Sequence, residues 1–131
     1  METNYTVTIK EAYKDLTARE KIKFKDTSDA ISLDTFSKTE GFDGETPVLE
    51  PAGYVVLEVH NDKAQGDPDY DQFVIIDTMG NKFVTGSDSF YRAFKNIWDE
   101  LKDDPEPWQI KINRKQSKNY TGKEFITCSL V

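Results

Sequence analysis

Cysteine and histidine are nearly absent from this chain of 131 residues, which has one of each, Cys128 and His60. One cysteine cannot form an intrachain disulfide, and the pair cannot supply the four ligands of a structural zinc site. A chain without disulfides is typical of a reducing compartment. The sequence therefore predicts a cytoplasmic protein and excludes the small domains that disulfides or zinc hold together.

Hydrophobic runs, phosphate-binding loops and catalytic pairs are missing too. No stretch reaches the roughly 18 apolar residues of a membrane span, and the first residues lack the basic and apolar parts of a signal peptide. Neither GxGxxG nor a P-loop motif occurs. Nucleophilic catalysis needs a base beside its nucleophile, and a lone strand histidine is most often a surface or packed residue. We therefore expect no enzyme, no catalytic residue, no cofactor and no membrane association.

Two features remain as candidates for reactivity or metal binding. Cys128 lies in the alternating apolar pattern of residues 126–130, which indicates a buried thiol rather than a nucleophile. Asp67, Asp69 and Asp71 alternate as carboxylates do in calcium loops. An EF-hand loop also needs glycine at its sixth position and glutamate at its twelfth, and both are missing here. The aspartates therefore favour a solvated loop, and we expect no metal site.

Charge is abundant and unevenly distributed. The net charge is −7 and the pI is about 4.7, which at first argues against nucleic acid as a partner. Residues 1–25 hold six basic and four acidic groups, residues 26–107 hold six and nineteen, and residues 108–131 hold five and one. The local net charges are therefore +2, −13 and +4. A basic terminal segment can act locally, because salt screens charges beyond a Debye length of about 8 Å.

The N-terminal third gives mixed signals. Apolar spacing over residues 6–16 predicts an amphipathic helix. Strict alternation over residues 21–25 favours a short strand, although the capping-box pattern at 17–20 favours a helical turn instead. Residues 30–34 predict a second short strand, and residues 37–52, with Pro47 and Pro51, read as a linker.

From residue 53 the pattern is clearer. The sequence predicts a helix with an aromatic face at 88–102, which Ser87 or Asp88 caps, and strands at 54–60, 72–77, 82–85, 108–113 and 124–131. The order β-β-β-α-β-β is that of the OB-fold. The predicted fold is mainly β with α: an OB-fold-like five-stranded Greek-key barrel over residues 53–131. Residues 1–52 are predicted to form an N-terminal α/β extension that packs on the barrel.

Basic side chains are concentrated in the predicted terminal hairpin, whose loop is one of the places where OB-folds bind ligands. The candidate phosphate-binding residues are Lys111, Arg114, Lys115, Lys118 and Lys123, with Lys82 on the third predicted strand of the barrel. Tyr120 lies at the hairpin tip, where a base can stack on its ring. The hairpin therefore has the residue types that single-stranded nucleic acid requires.

Two further aromatic residues belong to the first two predicted strands of the barrel. If Val55, Leu57 and Val59 point inward, then Tyr54 and, on the next strand, Phe73 point outward. Together they would form a second platform for stacking bases. The alternative is that Phe73 lies beneath the N-terminal segment.

The element order and the basic hairpin, with Trp108 to Lys111, Arg114 to Lys123 and Phe125, resemble OB-fold single-stranded DNA-binding proteins of phages or mobile elements. The resemblance covers residues 53–131. It implies a protein that binds single-stranded DNA during replication or recombination in the cytoplasm of a bacterial host cell. It also implies homo-oligomers and host or phage replication proteins as partners.

Two other classes of function stay open. The acidic central body, especially Asp62 to Asp71 and Asp99 to Glu106, could mimic phosphates and inhibit a host nucleic-acid enzyme. Alternatively, an exposed strand edge could make the protein an oligomeric structural or assembly subunit. The preference between DNA and RNA is open as well, because no simple motif reads the 2′-hydroxyl.

Overall fold

The computed structural model describes residues 5–37, 47–62, 68–116 and 124–131. They form a mixed α/β protein made mostly of strands. Its elements are β1 (Tyr5–Ala12), α1 (Ala18–Lys25), β2 (Ile31–Ser32), α2 (Leu33–Ser37), β3 (Val48–Leu49), β4 (Pro51–Asn61), β5 (Asp69–Asp77), β6 (Lys82–Thr85), α3 (Asp88–Leu101), β7 (Ile110–Gln116) and β8 (Glu124–Leu130).

The strands form two open sheets. The five-stranded sheet has the order β1-β4-β5-β6-β2, and the three-stranded sheet has the order β3-β7-β8. All neighbours are antiparallel except the short parallel pair of β2 and β6. The predicted order β-β-β-α-β-β is confirmed by β4, β5, β6, α3, β7 and β8. The described residues do not close into the expected Greek-key barrel.

The barrel stays open because the N-terminal segment pairs with both sides of the β4-β5-β6 meander. Strand β1 runs along β4 from Tyr5 opposite Asn61 to Ala12 opposite Val55. Along the opposite edge of the meander, Ile31 and Ser32 of β2 pair with β6. Both edge strands of the meander are therefore already paired, and the hairpin of β7 and β8 pairs with β3 instead. Residues before 53 are thus part of both sheets.

The helix predicted over residues 6–16 is wrong, and a β-bulge explains the misleading spacing. Ile9 pairs with Leu57, but the register then shifts so that Ala12 pairs with Val55. In a regular strand, residues three apart point to opposite faces, whereas the bulge at Lys10 returns Ile9 and Ala12 to the same face. The apolar spacing that imitates a helix is therefore that of a bulged strand.

Residues 21–25 form part of a helix and not the predicted strand, as the capping box at residues 17–20 indicates. Thr17 Oγ1 accepts a hydrogen bond from the Glu20 amide at 3.2 Å, and Glu20 Oε1 accepts one from the Thr17 amide at 3.1 Å. Helix α1 follows, and Phe24 is its buried residue. The short strand predicted at 30–34 is confirmed only for Ile31–Ser32 as β2, because Leu33 and Asp34 begin α2. Of the predicted linker, residue 37 ends α2, residues 47–52 lie in or next to strands β3 and β4, and 38–46 lie outside the described residues.

Both faces of the five-stranded sheet are covered. Val55, Leu57, Val59 and Val74 form one cluster with Phe24 of α1, as expected for inward positions. The opposite face is also buried. It packs against α3 and the three-stranded sheet in a larger cluster that includes Tyr54, Val56, Phe73, Ile75, Phe83, Phe90, Phe94, Ile110, Ile112, Ile126 and Cys128.

Helix α3 presents its aromatic face to the sheet, and its predicted cap is confirmed. Ser87 Oγ accepts a hydrogen bond from the Phe90 amide at 3.2 Å. Phe90 and Phe94 are fully buried, and the ring of Tyr91 stacks on Phe73 with centroids 4.3 Å apart and planes 4° apart. Glu11 of β1 accepts a hydrogen bond from the Tyr91 hydroxyl at 2.5 Å, which ties the edge strand to the helix.

We expect Phe73→Ala to lower the free energy of unfolding by about 3–5 kcal/mol, because it removes a buried ring beneath α3. The matched control is Phe125→Ala, a phenylalanine on a half-exposed strand position. Its effect on stability should stay within about 0.5 kcal/mol. Urea unfolding followed by circular dichroism measures both, and equal losses for the two variants would contradict the assignment of Phe73 to the core.

Candidate nucleic-acid interface

The stacking platform predicted for Tyr54 and Phe73 is wrong, because both rings are buried. Tyr54 is 3% exposed and its ring lies 5.5 Å from that of Phe94, while Phe73 is 6% exposed beneath Tyr91. The alternative is right that Phe73 is covered but wrong about what covers it, because Tyr91 of α3, and not the N-terminal segment, stacks on its ring. Neither ring has a free face on which a base could stack.

Lys82 and Arg114 are bound to other parts of the chain. The Lys82 ammonium donates to the carbonyls of Lys23 and Asp26, the latter at 2.6 Å, so it neutralises the C-terminal end of α1. Arg114 Nη1 donates to Asp34 Oδ1 at 2.8 Å and to Ser37 Oγ at 2.9 Å. Both cations thereby hold short helices against strands, which opposes their predicted role as free phosphate ligands.

Lys111 and Lys115 have the exposure that their predicted role needs. Along β7 the inward side chains of Ile110 and Ile112 are buried, whereas Lys111 and Lys115 alternate with them and are exposed. The three other predicted residues of the hairpin, Lys118, Tyr120 and Lys123, lie outside the described residues.

The two lysines belong to one surface that no element of the described residues covers, which we call the outer sheet face. It consists of the outward positions of β3, β7 and β8: Val48, Lys111, Asn113, Lys115, Phe125, Thr127 and Ser129. Val48 is 44% exposed and Phe125 is 37% exposed. None of these described positions is acidic, although the chain as a whole carries a net charge of −7. The outer sheet face is therefore a local basic and aromatic patch.

The register places cations, an aromatic ring and polar groups in adjacent rows. Lys115 lies directly opposite Phe125, and Lys111 lies opposite Ser129. Between them, Asn113 Nδ2 donates a hydrogen bond to Ser129 Oγ at 2.9 Å. The two lysines are four positions apart along β7, so their Cα atoms are about 13 Å apart at a rise of ~3.3 Å per residue. That distance matches about four stacked nucleotides at ~3.4 Å each.

Phe125 is the residue that sequence reasoning left without a role of its own. The outward position of Phe125 can be read from the sequence. If Ile126 and Cys128 point inward, strand alternation places Phe125 and Thr127 on the opposite face. What the sequence does not contain is the register of the hairpin. The pairing of Phe125 with Lys115 follows only from the sheet.

Cys128 is buried, as predicted, and burial raises the pKa of its thiol to about 12. It therefore stays protonated at neutral pH, and a protonated thiol is a poor nucleophile.

Of the three alternating aspartates that were considered as metal ligands, Asp71 is held in an ion pair: its Oδ2 lies 3.1 Å from Lys10 Nζ. Within the described ranges, no three histidine, cysteine or carboxylate side chains form a group that could hold a metal ion.

His60 bridges the two ends of the β4–β5 connection. Its Nδ1 lies 2.6 Å from Asp69 Oδ1 and its Nε2 lies 2.7 Å from Asp62 Oδ1. Hydrogen bonds to Asp69 and Asp62 raise the pKa of the imidazole above its usual value. With both ring nitrogens facing carboxylates, the protonated form is the one that satisfies both contacts.

No described helix is long and apolar enough to cross a membrane. Comparison with known protein families, curated proteins and solved structures gives no match for this chain.

We expect the stabilising contribution of His60 to depend on pH. Because its pKa is raised in the folded state, this contribution is complete below about pH 6.5, the usual histidine pKa, and is lost as the pH rises through the raised folded-state pKa. Urea unfolding across this range should show the loss in the wild type and a flatter profile in His60→Gln. Identical profiles for the two proteins would contradict a stabilising role for the contacts of His60 with Asp62 and Asp69.

Proposed function

We propose that this chain binds single-stranded DNA across its outer sheet face, without catalysis. The observation that carries the proposal is the row in which Lys115 lies opposite Phe125, with Lys111 on the same uncovered face. Lysine ammonium groups neutralise phosphates, and a base stacks on an exposed aromatic ring. Thr127 and the Asn113–Ser129 pair add polar groups between the cations.

The total charge does not exclude this proposal, because the cations and the acids occupy different surfaces. The five exposed carboxylates of Asp99, Glu100, Asp103, Asp104 and Glu106 lie at the end of α3 and in the loop after it. Helix α3 packs on the inner side of the three-stranded sheet, opposite the outer sheet face. The overall charge of −7 lowers affinity at low salt, whereas the local patch supplies the attraction.

The proposed setting is replication or recombination of a phage or mobile element in the cytoplasm of a bacterial cell. The support for it is the order β-β-β-α-β-β, which the chain shares with OB-fold strand-binding proteins, together with the basic hairpin. The proposal does not need a closed barrel, since the outer sheet face belongs to the separate three-stranded sheet. Replication proteins and further copies of the chain are the proposed protein partners.

A second candidate function is inhibition of a nucleic-acid enzyme by phosphate mimicry. The exposed acidic segment at 99–106 favours it. The other predicted acidic segment is a weaker mimic, because His60 engages Asp62 and Asp69 while Lys10 engages Asp71. Mimicry therefore rests on the carboxylates of residues 99–106, none of which the experiment below replaces.

The double charge reversal Lys111→Glu/Lys115→Glu tests the proposal. Binding of fluorescent oligo-dT, followed by anisotropy across a salt series, should weaken, and the slope of log affinity against log salt should fall by about 1.4, for two lost phosphate contacts. The matched control is Arg92→Glu/Lys102→Glu, which changes the net charge equally at exposed positions on and after α3. A wild type that does not bind, or equal effects of both variants, would contradict the proposal. Failure to bind oligo-dT together with capture of a basic nucleic-acid enzyme would favour mimicry.

Phe125→Ala separates stacking from charge. It should weaken oligo-dT binding by roughly 1–3 kcal/mol, about 5- to 150-fold, with an unchanged salt slope, because it removes a ring and no cation. Phe125→Trp should retain binding. Equal affinity of the alanine variant and the wild type would remove the base-stacking part of the proposal.

A further inference from the structure

A second basic surface lies on the other side of the five-stranded sheet. The end of β1 and helix α1 enclose an open groove of about 750 Å³, whose lining includes Lys10, Lys14, Lys21 and Lys25. Helix α1 reaches the sheet through Phe24, on the face opposite to α3 and the three-stranded sheet. This groove is therefore separate from the outer sheet face.

The cations of the groove fall into two pairs. Lys10 binds Asp71 at 3.1 Å, and Lys14 binds Glu20 at 2.9 Å. Lys21 and Lys25 are exposed and form no ion pair with any residue in the part of the chain that the structure describes. Lys21 and Lys25 are thus the groove's cations that are available to a ligand.

Lys21 and Lys25 are four residues apart on α1, so their ammonium groups lie on the same side of the helix. Like charges at this spacing destabilise a helix, and α1 has only eight residues. An anion held between the two side chains removes that repulsion. Arg19 and Lys23 repeat this spacing on the other side of α1, so the spacing alone does not mark a site. Lys21 and Lys25 are distinguished by lining the groove, where an anion can be held between them.

The remaining lining indicates which anion fits. Glu11 and Asp15 also line the groove. Glu11 is already engaged by the Tyr91 hydroxyl at 2.5 Å and lies 3.6 Å from Lys95. The apolar lining is aliphatic, from Ile9, Ala12 and Leu16. Asp15 is exposed, so Lys21 and Lys25 exceed the remaining carboxylate of the described lining by one charge, and none of the described lining residues is aromatic. This lining suits a phosphate backbone, because it offers net positive charge but no ring on which a base could stack.

We propose that this groove, with Lys21 and Lys25 as its ligands, binds the phosphodiester backbone of a second segment of single-stranded nucleic acid. The inference rests on the proposed function of the outer sheet face and extends it. Because the two surfaces lie on opposite sides of the five-stranded sheet, one protein molecule holds two segments of single-stranded nucleic acid apart. The groove contributes salt-dependent affinity without base preference.

The test compares two double charge reversals on the same helix. Lys21→Glu/Lys25→Glu changes the groove, and Arg19→Glu/Lys23→Glu makes the same change in charge on the opposite side of α1. Oligo-dT binding by the first variant should show a salt slope lower by about 1.4, and binding by the second should stay close to the wild type. Equal slopes for wild type and groove variant would overturn the inference. Lys21→Gln/Lys25→Gln repeats the test with a smaller perturbation of the helix.

Backbone amide chemical shifts on titration with oligo-dT distinguish failure of this inference from failure of the proposed function. Shifts at residues 10–25 and also at 110–116 and 125–129 support both sites. Shifts confined to the sheet positions overturn the groove and leave the outer sheet face standing. Shifts confined to residues 10–25 keep the groove as a phosphate site and overturn the proposed role of the outer sheet face. Shifts at neither place overturn both.

Discussion

The packing of the aromatic face of α3 on the five-stranded sheet is the constraint on which the rest of the structure depends. Phe90 and Phe94 are fully buried, and Tyr91 stacks on Phe73 with centroids 4.3 Å apart. This contact covers the sheet face that carries Tyr54 and Phe73. It therefore turns two residues that sequence alternation places outside a barrel into part of the largest hydrophobic cluster.

Among the described elements, the same arrangement leaves one sheet surface without a covering layer. The meander of β4, β5 and β6 is flanked by β1 and β2, so the terminal hairpin pairs with β3 in a sheet of its own. The inner side of that sheet meets α3, and its outer sheet face keeps Lys111, Lys115 and Phe125 exposed. Polar and charged groups on this surface need no role in stability. That freedom is why the proposed binding function is placed there.

Much of the fold was predictable because its signals are local. The aromatic stripe of α3 and its Ser87 cap, the strands β4 to β8 and the capping box of α1 follow from spacing and composition. Strand β1 was not predictable, since the bulge at Lys10 gives its apolar residues helical spacing. For the candidate site, the exposure of Lys111 follows from alternation. The burial of Tyr54 and the anchoring of Arg114 to Asp34 depend on contacts between distant segments, which no local pattern encodes.

The central claim is that bases contact Phe125 on the outer sheet face while Tyr54 and Phe73 remain in the core. Ultraviolet crosslinking of an iodouracil-substituted oligonucleotide to the full chain, followed by peptide mass spectrometry, tests it most directly. We expect crosslinks at Phe125 and none at Tyr54 or Phe73. Crosslinks at either of those two residues, with Phe125 unmodified, would contradict it.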